Sequence, residues 1–133
     1  MKHARGEFDV RMAPVSLAGP AEDAMFGRFS IEKEYRGDLV GTGRGQMLTA
    51  MTGVEGSAAY VAIERVTGVL EGREGSFALQ HRGESNRGKQ DLYVNVVPDS
   101  GTGLLAGITG VLQIISEGKE HRYDLAYKLP PSS

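Results

Sequence analysis

A chain of 133 residues is long enough to bury one sizeable core and reads as one domain; with no cysteine it holds no disulfide, no thiolate metal site and no cysteine nucleophile. Its 15 basic and 17 acidic side chains are interspersed for a net charge of −2, which argues against a nucleic-acid or anionic-membrane surface. The stretch MKHARGEFDVRMA lacks the apolar centre of a signal peptide and no apolar run is long enough to span a bilayer, so the expected setting is the cytoplasm.

Nineteen glycines, spread along the whole chain against five prolines, point to many strands joined by tight turns. The first strand alternates cleanly, with Ala4, Gly6, Phe8, Val10 and Met12 on one face and charged residues on the other. Pro14 to Ala24 reads as a loop with one helical turn at Ala21 to Ala24. Strand two, Met25 to Tyr35, turns Met25, Gly27, Phe29, Ile31 and Tyr35 inward, and Lys33 is the one polar member of that face. Arg36-Gly37-Asp38 reverses the chain into strand three, Leu39 to Met51, where Gly41, Gly43 and Gly45 share a face with Met47 and Met51. A three-residue connection there sets Gly45 across from Phe29 and Gly43 across from Ile31, small against large, as a tapering barrel interior needs.

The most informative stretch is Tyr60 to Arg82, YVAIERVTGVLEGREGSFALQHR, whose β-branched and aromatic runs flank turn chemistry at Glu71 to Glu74. A loop centred on Gly72-Arg73 pairs Leu70 with Gly75, Gly68 with Phe77, Val66 with Leu79 and Glu64 with His81. The inward face then carries Tyr60, Ala62, Val66, Leu70, Phe77 and Leu79, and Glu64 and His81 stand side by side on it. Phe77 across from Gly68 also lets a ring cover bare backbone. Strand six, Gln90 to Val97, is apolar on both faces, which leaves its direction open. The final hairpin turns at Gly118-Lys119 and pairs Gly110 with Tyr127, Leu112 with Leu125, Ile114 with Tyr123 and Ser116 with His121.

The whole is about eight antiparallel strands and no helix beyond a turn. The expected fold is therefore all-β, a single eight-stranded antiparallel barrel over residues 1–129 with a tail at 130–133; a two-sheet sandwich is the competing architecture. The strings YVAIERVTG (60–68), GSFALQH (75–81) and VVPDSGTGLLAGITG (96–110) resemble a family of small, mostly bacterial proteins of unknown function. That resemblance extends over nearly the whole chain and implies a calycin-like barrel similar to allene oxide cyclase; it transfers no catalytic residue.

The candidate catalytic residues are Glu64 and His81, a carboxylate beside an imidazole that burial can tune toward neutral pH; equally, they form a polar pair that fixes strand register. The candidate ligand-binding residues are Phe29, Gly43, Tyr60, Phe77, His121, Tyr123 and Tyr127, lining an apolar interior, against a reading in which the aromatic ones simply pack the core. The three histidines have no metal-ligand spacing, and no cofactor or metal is expected. Gly41-Thr42-Gly43-Arg44-Gly45 is followed by glutamine and no helix, so it reads as a glycine stripe rather than a phosphate cradle. Three functions follow: a barrel that binds a small, largely apolar ligand, an isomerase or cyclase using Glu64 and His81, and a structural homo-oligomer with a filled barrel.

Overall fold

The computed structural model describes residues 1–17 and 23–131. Among the described residues nine strands follow one another: β1 (Lys2–Pro14), β2 (Phe26–Gly37), β3 (Leu39–Met51), β4 (Ala58–Leu70), β5 (Arg73–Asn86), β6 (Lys89–Val96), β7 (Thr102–Gly103), β8 (Thr109–Glu117) and β9 (Glu120–Lys128). They hydrogen-bond in the order β4-β3-β2-β1-β9-β8-β6-β5, and β5 returns to β4, so eight antiparallel strands close into a barrel with the two-residue β7 added beside β5. The barrel architecture holds and the sandwich does not. The helical turn expected at 21–24 lies partly outside the described residues, as does the end of the tail at 132–133.

Turn chemistry sets the registers. The β8–β9 hairpin pairs Leu112 with Leu125 and Ile114 with Tyr123 as expected, with Gly118 (φ 60) in the first central position, where a tight hairpin turn wants glycine. The β4–β5 hairpin differs by two residues: Leu70 pairs with Arg73, Gly68 with Gly75, Val66 with Phe77 and Glu64 with Leu79, while His81 faces Ala62. The turn sits on Glu71-Gly72, both at positive φ (48 and 86), because a type I′ turn needs two left-handed residues and favours glycine second. A shift of two leaves every side chain on its own face, so Glu64 and His81 still both point inward, as diagonal neighbours. The ring that covers a bare glycine is Tyr60, across from Gly83, where an added Cβ would overlap the ring.

The β2–β3 register is also displaced by two. Lys33 pairs with Gly43 and Ile31 with Gly45, so the large-against-small pairing falls elsewhere than expected. Residues 36–40 form a longer connection because their polar groups are drawn to other strands: Asp38 N donates to Arg5 O (3.1 Å), the Asp38 carboxylate accepts from Arg5 N (2.9 Å), and Leu39 N donates to the Tyr123 hydroxyl (2.9 Å).

The two ends of the barrel differ. At one, Leu39, Leu70, Leu105, Ile108 and Tyr127 are all buried, and the loop after β6 supplies the plug. At the other, the inward faces of the strands open out: Met12 is 56% exposed and Met51 62%, although both were read as inward. Val94 and Val96 are buried, which settles the direction of β6. Its only pairing with β8 is Asn95 with Val111, so at that seam side chains rather than ladder bonds hold the wall together.

Candidate functional site

Glu64 lies mid-barrel on β4 and is 0% exposed. Its Oε1 accepts from Lys33 Nζ at 2.8 Å and is 2.7 Å from His81 Nε2; its Oε2 accepts from the Tyr35 hydroxyl at 2.9 Å. Lys33 and Tyr35 come from β2, with β3 between them and Glu64. They reach it because β3 presents glycine there: a Cβ at Gly43 would overlap Glu64 Oε2 and stand 3.2 Å from the Tyr35 ring. Lys33 Nζ also sits 5.0 Å from the Phe8 ring centroid, a cation over an aromatic face.

Burial alone pushes the Glu64 carboxyl up. The His81 hydrogen bond and the Lys33 ammonium more than reverse that and hold it at about 2. Burial, then the Glu64 charge, pushes the Tyr35 phenol well up, so it stays a donor. Among the described residues no buried side-chain nitrogen or oxygen lacks a hydrogen-bond partner. A carboxylate held so low accepts protons poorly at neutral pH; what it does well is anchor three donors from two other strands. Lys33 and Tyr35 were absent from the candidate site in the sequence, although Lys33, alone and polar on an apolar face, was the signal. Replacing Gly43 with alanine is expected to cost ~1–3 kcal/mol in urea unfolding, because the methyl displaces the carboxylate; a variant as stable as the parent would contradict that seating.

At the open end, a cup of about 290 Å³ is lined by Met47, Met51, Ala58, Tyr60 and Leu92, with Thr49, Ser85 and Gln90 as its inward-facing polar lining. Tyr60 belongs to both regions, since its ring centroid is 6.5 Å from that of His81. Burial, then the Glu64 charge, raises its phenol pKa.

Of the other ligand-lining candidates, Phe29 is half-buried opposite Met47, and half-buried His121 stacks on Phe8 at 5.3 Å. Gly43 faces the Glu64 carboxylate rather than a cavity. Phe77, Tyr123 and Tyr127 are buried in the core, away from the cup. Tyr123 donates to Arg36 O at 2.8 Å and Tyr127 to the Glu71 carboxylate, so their hydroxyls tie down turns at the plugged end. Gly41 to Gly45 run within strand β3, with no helix to hold an anion, and Ser100 and Thr102 cap backbone amides of β5. Among the described residues no cluster of three or more His, Asp or Glu side chains is placed to hold a metal ion, and no helix is long and apolar enough to cross a membrane.

The geometry defines a class of protein: a closed antiparallel barrel, plugged at one end, cupped at the other, with an ionic cluster at its waist. The family model described as a protein of unknown function, DUF3224, matches residues 4–127, and the chain belongs to that family. It is similar to a solved protein of unknown function from the DUF3224 family of Shewanella oneidensis MR-1, at 41% identity and a TM-score of 0.91 over 99% of each chain. No curated protein matches it.

Proposed function

We propose that the protein binds a small, largely apolar ligand in the cup at the open end of the barrel. One observation carries this reading: apolar side chains from three strands, Met47 and Met51, Ala58 and Tyr60, and Leu92, surround about 290 Å³ of space together with the backbone of Gly83 on β5. That volume is at the lower edge of small-molecule pockets, roughly 300–1,000 Å³. Leaving Met51 62% and Leu92 42% exposed costs hydrophobic stabilisation that a plug like the one at the far end would recover. Below the cup the interior is filled, so the ligand stops at the level of Tyr60. Glu64 and His81 serve this site from beneath, as part of the cluster that fixes β2, β4 and β5 around it.

A neutral environment-sensitive dye such as Nile red is expected to bind the folded chain at about one per chain. Ala58→Phe fills the cup and is expected to weaken binding by about tenfold or more, with the urea midpoint unchanged. Undiminished binding in that variant places the site elsewhere.

A further inference from the structure

The outer face of β3 and β4 is apolar where the outside of a barrel facing water is ordinarily polar. Leu48 stands directly across from Val61, Ile63 follows on the same face, and the three are 49%, 53% and 55% exposed. With Leu17 they line an open groove on the side of the wall. They alternate with the buried Ala62 and Glu64, so closing the barrel makes no use of them.

The charges that border this patch come in two like pairs. Toward the plugged end Arg44 faces Arg65 across β3 and β4; toward the open end Glu84 faces Asp91 across β5 and β6. Like charges directly opposite on neighbouring strands are unfavourable. Among the described residues none of the four takes part in an ion pair. Within one chain Arg65 and Glu84 do not meet, because Arg65 pairs with Ala78 and the strand from Ala78 to Glu84 is roughly 20 Å long.

We propose that a second copy of this chain covers the patch, as a two-fold dimer through the outer faces of β4 and β5. The axis lies in the plane of contact, across the strands and between Val61 and Ile63. It sets the strands of one protomer nearly antiparallel to those of its partner, and the arginine border of each copy then lies over the carboxylate border of the other. Arg65 meets the partner's Glu84, symmetry makes the same contact a second time, and Leu48, Val61 and Ile63 of the two copies pack together between them. A membrane surface would pair the arginines and leave the carboxylates facing lipid. A surface with both signs at this spacing satisfies both borders, and this chain carries one. The contact is on the side of the barrel and is independent of the cup at its end.

Sedimentation equilibrium of the full chain at low salt tests it, with circular dichroism to show that each variant is folded. The parent is expected to dimerise in the micromolar range. I63E, R65E and E84R are each expected to weaken the dimer by about tenfold or more. In R65E/E84R the two borders exchange signs, and the dimer is expected to return to within about threefold of the parent. A parent that stays monomeric at about 1 mM overturns the proposal. So does a dimer that tolerates I63E or R65E, or one that R65E breaks and R65E/E84R does not recover.

Discussion

Glu64→Leu is expected to destabilise the fold by ~3–5 kcal/mol in urea unfolding, the largest effect of any single substitution in the chain. The loss is not that of one contact. Leucine strands the Lys33 ammonium, which is 2.8 Å from Glu64 Oε1, together with the Tyr35 hydroxyl and the His81 ring, all of them buried. Removing the whole cluster, as Lys33→Met, Glu64→Leu and His81→Leu together, is expected to recover most of that loss, because a well-packed apolar set leaves no orphaned charge. The double-mutant cycle of Glu64→Gln and His81→Leu isolates one arm, and non-additivity of ~1–3 kcal/mol is expected. Additive effects would show that the two groups do not touch.

The second large effect is in acid. The Glu64 carboxyl stands at about 2 in the folded chain against an ordinary value of 4.5, so folding favours its anion. Its contribution is complete above about pH 5 and is lost as pH falls from there toward 2, for a total of ~3 kcal/mol. Asp124 contributes with the same sign: burial raises its carboxyl, but hydrogen bonds from His3 and Arg5 bring it below its ordinary value. The part due to Glu64 is therefore the difference between the parent and Glu64→Gln, whose stability is expected to be nearly flat over that range apart from Asp124. A parent and variant with the same slope would place the Glu64 pKa near its ordinary value and leave the cluster without its anion.

What was legible in the sequence, and what was not, follows from the period of a strand. Alternation assigns faces, and faces survive a shift of two, which is why Glu64, His81, Phe77 and Leu79 were inward in both the expected and the observed registers. Pairing depends on the turn. The Gly118-Lys119 turn admits one good placement and was read correctly, whereas Glu71-Gly72-Arg73-Glu74 admits two, and the preference for glycine in the second central position decides between them.

The same displacement hid half of the central cluster. With Gly43 expected across from Ile31, Lys33 had no reason to approach Glu64; with Gly43 across from Lys33, the bare backbone of β3 becomes the passage between them. Tyr35 was read as an apolar inward residue because nothing local distinguishes a core tyrosine from one whose hydroxyl finds a carboxylate two strands away. The division into a plugged and an open end was not legible either. It depends on where the loop after β6 lays Leu105 and Ile108, and alternation within strands carries no information about which mouth a loop covers.

The central claim is that ligand chemistry belongs to the open-end cup while the cluster at the waist holds the barrel together. Side-chain NMR shift mapping of the full chain during titration with 1-octanol tests it most directly. The methyls of Met47, Met51 and Leu92 and the Tyr60 ring are expected to shift together, with the His81 ring and the Lys33 signals unchanged; shifts confined to His81 and Lys33, with the methionine methyls still, would contradict it.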